Sequence, residues 1–317
     1  MRNYAIGIDV GGTRIRLGLF DGNMQLLAEQ HYLTDKDASA LELMDFLSQK
    51  AAALTEGAGM RLEDVRGVGA AFPSSIDFNR GVTLESSNIV ALTDQPVREM
   101  LEKRLKLPVF VDNDGNVAAL AEHRYGAGRG YDNLIYATLA TGIGGGLILN
   151  GQLYRGMHGM AGEIGHMFIS DSTGYPCGCG VIGCVHSISS GMFMARYAMD
   201  RIKEGAESRI LDYAGTLSNI DMVAVGRALQ MTDPLALEVV NRGAEYLGRM
   251  FHSLNQIFDI NIFVYGGGIT NLGHRFTDRM IASYRHHSLM DQKYPAKFLA
   301  AELGERAEII GAALLVP

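Results

Sequence analysis

One local design occurs twice along this chain, and it limits the available folds more than any other feature. Near the start, "YAIGIDV" reads as a strand, "GGT" as a turn and "RIRLGLF" as a second strand with alternating polar and apolar side chains. Asp21-Gly22 marks a hairpin before a third strand, "MQLLAEQHY". The plan returns at Asn133. "NLIYATLA" is a strand, "TGIGG" a glycine turn, "GLILN" a strand, and Asn150-Gly151 a hairpin dipeptide ahead of "QLYRG". Two such meanders, each leading its own half, predict a duplicated α/β domain with a phosphate loop in each half and a cleft between them.

Helices are expected in the intervals. Residues Ala40–Leu54 set Leu41, Met44, Leu47, Ala51 and Leu54 on one face. Asp94 is placed to cap a helix with Pro96 in its first turn. "VFVD" reads as a strand, Asn116–Tyr125 and Leu235–Phe258 as helices, "NIFVYGGGI" as a strand entering a glycine turn, and Arg306–Leu315 as a last helix. The expected halves are residues 1–116 and 117–303, with the final helix, residues 304–317, returning to the first.

The chain has 317 residues, and 47% of them are hydrophobic, enough for two cores. A net charge of −7 argues against a nucleic-acid surface. The first residues form no signal-peptide pattern and no apolar run reaches membrane length, so a cytoplasmic chain without a membrane partner is expected. Thiols stay reduced there. All three cysteines, Cys177, Cys179 and Cys184, fall within "YPCGCGVIGCVHS". Three thiolates leave a tetrahedral zinc site one ligand short. Either His166, ending "GEIGH", or His186, two residues past Cys184, completes it. The alternative is three buried thiols that pack as small hydrophobes.

The glycine runs carry the next signal. "DVGGT" puts Asp9 at a strand end, near any Mg²⁺ that phosphates carry; Gly11 and Gly12 bare their backbone N–H groups and Thr13 adds a hydroxyl. An ordinary tight hairpin uses the same residues. "TGIGGG", from Thr141 through Gly142, Gly144 and Gly145 to Gly146, has more glycine than a hairpin needs, which points to close approach by a ligand. Gly266, Gly267 and Gly268 follow a buried strand and suit either a flat base or tight packing. No P-loop pattern occurs, and the single GxGxxG match, Gly178–Gly183, lies inside the cysteine cluster without the strand and helix that motif requires. "VFVDNDGNVAAL" sets Asp112, Asn113, Asp114 and Asn116 at a strand-to-helix junction, where ligands of α/β sheets bind. A carboxylate there can take the proton of a hydroxyl attacking phosphorus. The same acids also suit a helix cap. Glu163 offers two acceptor oxygens to sugar hydroxyls, or is a solvated turn residue.

Taken together, "IGIDVGGTRIRLGLFD", "VDNDGNVAALAEHRYGAGRG", "LATGIGGGLILNGQLYRGMHGMAGEIGH", "CGCGVIGC" and "FVYGGGIT" resemble, in order and spacing, the ROK family of repressors, open reading frames and kinases. The resemblance runs from about Tyr4 to Leu315. It implies an actin-like, ribonuclease-H-like fold of two α/β lobes and ATP-dependent phosphorylation of a hexose, usually at the 6-hydroxyl. By position, Asp114 is the catalytic base, and Asn88, Asn113, Glu163, His166 and His186 face the sugar. His166 joins Cys177, Cys179 and Cys184 as the zinc ligands. Asp9, Gly11, Gly12, Thr13 and the Thr141–Gly146 turn serve ATP and its Mg²⁺, and Gly266–Gly268 border the adenosine. A homodimer is implied.

The sequence departs from the family in two places. His186 stands where the family usually has a glutamate near the sugar's C1 and C2, and "SSNIV" keeps Asn88 without the usual flanking prolines. Both bear on which sugar is bound; other segments look allose-kinase-like, so an allose- or glucose-type sugar is expected. The rival expectations are a sugar-responsive repressor of the same family and a sugar-binding protein without catalysis. Such repressors carry a helix-turn-helix ahead of the first strand, where this sequence has Met1–Asn3.

Overall fold

The computed structural model describes residues 3–86, 89–171, 173–288 and 291–317; Asn88 lies outside the described residues. The chain forms two compact units. The first takes Met1–Tyr136, Gly146–Gly162 and Glu302–Pro317, and the second Ala137–Gly145 and Glu163–Ala301.

The first unit is built on a sheet of β1 (Tyr4–Val10), β2 (Arg14–Phe20), β3 (Leu26–Leu33), β4 (Val65–Phe72) and β7 (Val109–Asn113), in the order β3-β2-β1-β4-β7. The first three are antiparallel, and β4 and β7 run parallel to β1. A ribbon of β5 (Ile76–Asp77) and β6 (Val82–Thr83) lies between β4 and β7 in sequence. The period-two alternation of β1 sorts its side chains by face. Ile6, Ile8 and Val10 enter a core with Leu43, Met44 and Leu47 of α1 (Ala40–Gly57) and Leu101 of α2 (Val97–Leu105). Ala5 packs with Ile309 and Ala313 of α10 (Ala307–Leu314) on the other face, so Asp9, four residues on, belongs to the α10 side. Ser39 and Glu42 close a capping box at the head of α1.

Glycine lets α10 lie directly on the sheet. A Cβ on Gly7 would fall 1.9 Å from the Ile309 carbonyl oxygen, and one on Gly69 1.7 Å from that of Ala312. Gly311 of α10 meets α3 (Asp114–Tyr125) equally closely; its Cβ would be 1.8 Å from the Val117 oxygen. The division expected at Asn116 therefore falls inside a helix of the first unit, because α3 is clamped by α10.

A second sheet has the order β10-β9-β8-β11-β12, from β8 (Leu134–Leu139), β9 (Ile143–Leu149), β10 (Gln152–Tyr154), β11 (Ile262–Gly266) and β12 (Lys297–Ala300). It repeats the first sheet's plan: the third, second and first strands of a meander, then two later strands. In the second unit α8 (Pro234–Phe258) starts at Asp233, whose side chain accepts from the Ala236 N–H, and ends at Asp259 in the left-handed region. It runs along α9 (His274–His287), and Phe251, Phe263, Tyr284 and Phe298 form an aromatic cluster with centroids 5.0–5.6 Å apart. Around them stand α4 (His186–Ser189), α5 (Gly191–Lys203), α6 (Ile210–Ala214) and α7 (Met222–Gln230).

Two local expectations are corrected. Asp94 does not cap α2: its φ is +53°, and the helix begins at Val97 after Pro96, since the residue before a proline is steered to extended backbone. The glycine run is mostly strand, because β9 begins at Ile143 and the turn is confined to Ala140–Gly142. Gly146 is required there by packing, as its Cβ would meet Ala119 at 2.6 Å. Among the described residues, no helix is long and apolar enough to cross a membrane.

Candidate active site and metal cluster

The register of the first hairpin builds the first element of the site. Asp9 pairs across the strands with Arg16, and the Arg16 guanidinium lies 3.6 Å from the Asp9 carboxylate. Arg16 also reaches Glu308 of α10 at 3.7 Å and donates to the Glu305 carbonyl at 2.7 Å. Burial, with Glu308 and Asp114 adding their charges, raises the Asp9 carboxyl well above its ordinary value despite Arg16. Burial and then Asp114 push Glu308 up to about 7. Asp9, Asp114, Glu308 and Arg16 are thus one electrostatic group. The Gly11–Thr13 turn beside it is held by the Gly11 N–H donating to the Arg14 carbonyl, and by the Thr34 hydroxyl donating to the Gly11 carbonyl at 2.7 Å.

At the strand-to-helix junction the acidic residues part ways. Asp112 is buried and fully committed: it accepts from the Asn113 N–H, the Asn116 amide at 2.9 Å and Arg155 Nε at 2.6 Å. Arg155 in turn lies over the Phe78 ring. Asn113, not an aspartate, caps α3, accepting from the Gly115 and Asn116 N–H groups while its amide donates to the Ser74 carbonyl. Asp114 is the first residue of α3, half-buried, with one oxygen accepting from the Gly115 N–H at 2.8 Å. The helix N-terminus favours its charge, while Asp9 and Glu308 oppose it.

In the second unit, Ala140 and Thr141 edge a cavity of about 1090 Å³, with Met192, Met222, Ile269 and Leu272 among its apolar lining. This is a size that takes a whole cofactor. Gly268 also lines it, whereas Gly267, at φ +98°, is needed because a Cβ would fall 2.4 Å from the Leu139 oxygen. Gly266 is the last residue of β11. Gly144 has open space where a side chain would stand.

The cysteine cluster gathers into one point. Ligand atoms of His166, Cys177, Cys179 and Cys184 lie within 4.8 Å of one another. Tetrahedral zinc, with Zn–S near 2.3 Å and Zn–N near 2.0 Å, needs ligand-to-ligand edges of roughly 3.5–3.8 Å. Cys177 Sγ stands 3.5 Å from His166 Nδ1, and Cys179 Sγ 3.6 Å from Cys184 Sγ. Cys179 is exposed, so these are not three buried apolar thiols. His166 is the cluster's histidine. The neighbouring His186 is occupied otherwise: its Nδ1 accepts from the Ile143 N–H at 3.3 Å, its ring stacks on His166, and Phe193 meets it edge-on. Burial, then His166, pushes its imidazole down to about 4, so it is neutral and carries its proton on Nε2. Glu163, half-buried, precedes the short 3-10 helix Ile164–His166.

Sequence reasoning missed Arg16, Arg155, Glu308 and the cavity's methionines. The alternation in "RIRLGLF" together with the hairpin turn could have paired Arg16 with Asp9. Nothing local marks Glu308.

Two sheets of one strand order, a glycine turn in each half and a paired carboxylate site define an α/β protein of the actin-like ATPase fold. Residues 5–317 match the ROK family, and the chain belongs to it. It is 34% identical over 320 residues to a glucokinase of Halalkalibacterium halodurans, covering 99% of this chain and 94% of that protein. An N-acetylgalactosamine kinase of Shewanella is 32% identical, over 98% of this chain and 95% of its own length. A ROK family glucokinase from Streptomyces griseus, solved with glucose and AMPPNP, is 34% identical and superposes with a TM-score of 0.84 over 99% of both chains.

Proposed function

We propose that the chain transfers the γ-phosphoryl group of ATP to the 6-hydroxyl of an allose- or glucose-type hexose, with Asp114 as general base. It is an ATP-dependent kinase of the hexokinase type. The observation that carries the choice of base is the contrast at the junction: Asp112 is held by three donors, whereas Asp114 is half-buried at the head of α3 beside Asp9.

The hydroxyl gives its proton to the Asp114 carboxylate as its oxygen attacks the γ-phosphorus in line, and the bond to ADP breaks. Such a transition state asks mainly for positioning and charge neutralisation. Asp9 is the hard oxygen donor for the Mg²⁺ that ATP carries, with Gly11, Gly12 and Thr13 offering donors to the phosphates. Thr141, Gly142, Gly144 and Gly145 serve the nucleotide in the second unit, and Gly268 with the Met222 and Ile269 side chains suits an adenosine in the large cavity. For the sugar, Asn113 has a second amide hydrogen to give, Glu163 two acceptor oxygens, and His186 an Nε2–H donor where the family usually has an acceptor. His166, Cys177, Cys179 and Cys184 would hold a structural zinc, which would fix the segment that presents Glu163 and leave one His166 ring nitrogen for the sugar.

A coupled ADP-release assay across glucose, allose, mannose, fructose and N-acetylated hexosamines tests the reading. ADP release should depend on a hexose. Asp114→Asn should lower kcat by at least about 10²-fold, the scale of general base catalysis, with sugar affinity kept within a few-fold. Near-normal turnover in that variant would refute the assignment.

A further inference from the structure

The turn that edges the large cavity is held by the same two chain segments that supply the metal cluster. On one side, Gly165 precedes the ligand His166, and its backbone presses on the turn: a Cβ on Gly165 would fall 2.2 Å from the Ile143 oxygen. On the other, the segment after the ligand Cys184 makes three hydrogen bonds to the turn. Ile143 N–H donates to His186 Nδ1, Gly191 N–H donates to the Ala140 carbonyl at 2.9 Å, and Met192 N–H donates to the Thr141 carbonyl at 3.3 Å. Gly142 packs tightly beside His186, since its Cβ would lie 3.1 Å from Cε1. The stacked rings of His166 and His186, 5.8 Å apart and nearly parallel, join the two segments.

We propose that the Cys/His cluster braces the nucleotide turn, with His186 as the positioning residue that links the bound metal to the Ala140–Ile143 backbone. A metal held by His166 and Cys184 fixes both ends of this clamp. The two segments also join through backbone, the Val185 N–H donating to the Met167 carbonyl and the Ile169 N–H to the Gly183 carbonyl. Without the metal, the His166 and Cys184 side chains lose their common anchor and the Ile143 N–H loses a fixed acceptor. Ile143 is a buried residue, so leaving its N–H without a partner is unfavourable and the turn relaxes. Nucleotide affinity then depends on metal occupancy, although the metal touches no nucleotide. This rests on the proposed reading that the turn and cavity serve ATP.

The test uses the full chain, zinc-loaded or stripped with a chelator, with a non-hydrolysable ATP analogue and no sugar, so that sugar contacts of His186 do not enter. Calorimetry reads analogue affinity, and hydrogen exchange reads the Ile143 amide. Stripping should speed Ile143 exchange and weaken the analogue by about tenfold, the loss expected for one buried hydrogen bond. His186→Ala should do the same while zinc stays bound, which keeps the test alive if the stripped chain unfolds. His186→Asn, whose side-chain oxygen can take the place of Nδ1, should restore both readouts. Ile143 exchange in zinc-loaded His186→Ala equal to that of the unaltered chain would overturn the brace, as would faster exchange with unchanged analogue affinity. If the zinc-loaded chain binds no analogue at all, the ATP reading fails instead, and Ile143 exchange alone decides the brace.

Discussion

Asp9 and Glu308 share a single guanidinium, and the sharing has a measurable consequence. Glu308 is buried beside Asp114 and Asp9, and its carboxyl is raised from 4.5 to about 7. A raised acid means that the folded chain holds this proton more tightly than the unfolded one. Its stabilising contribution is complete below pH 4.5 and is lost as pH rises through about 7. Glu308→Gln keeps the shape and removes the charge. Relative to the unaltered chain it should gain stability between pH 5 and pH 8, on the order of 1–3 kcal/mol, read from urea midpoints. Parallel pH profiles for the two proteins would show that Glu308 does not titrate in this range. At this scale, Asp9 and Asp114 were legible because each sits in a short local motif. The family resemblance named Asp114 as the base; the commitment of Asp112 to other partners was not legible, since it turns on Arg155, a residue 43 positions from Asp112.

Among the elements, α10 depends most on residues remote in sequence. Gly69 has ordinary backbone angles but no space above it: the Ala312 oxygen stands where a Cβ would go. Gly69→Ala must therefore push α10 off β4. We expect a loss of about 2 kcal/mol or more, typical of overpacking, together with displacement of Glu308. A melting temperature within a degree or so of the original would contradict this contact. The meanders and the long helices α1 and α8 were legible, because period-two alternation, capping residues and a 3.6-residue apolar stripe are local signals. The helices α5 to α7 were not read, although Ser190 and Asp221 cap two of them. Gly146 misled for a physical reason: the missing side chain makes room for α3 rather than for a turn.

For the molecule as a whole, the cluster of His166, Cys177, Cys179 and Cys184 is a testable part of the fold. Purified chain should contain one zinc by elemental analysis, and chelation should lower the melting temperature, because metal held only by the folded state adds its binding energy to folding. Cys179→Ser should abolish the zinc; a stable chain that neither contains zinc nor gains stability from it would remove the metal from the account. The sequence alone determined the duplicated strand plan, the family, the cysteine set and the position of Asp114, since periodicity and motif order are written in neighbouring residues. The cysteine segment by itself left His166 and His186 open, and the family resemblance chose His166, which the fold gathers with the thiols. Only tertiary structure decided that Asp112 is consumed by Arg155 and that Glu308 shares Arg16 with Asp9. Each of these depends on contacts between segments far apart in the chain, which local residue patterns cannot encode.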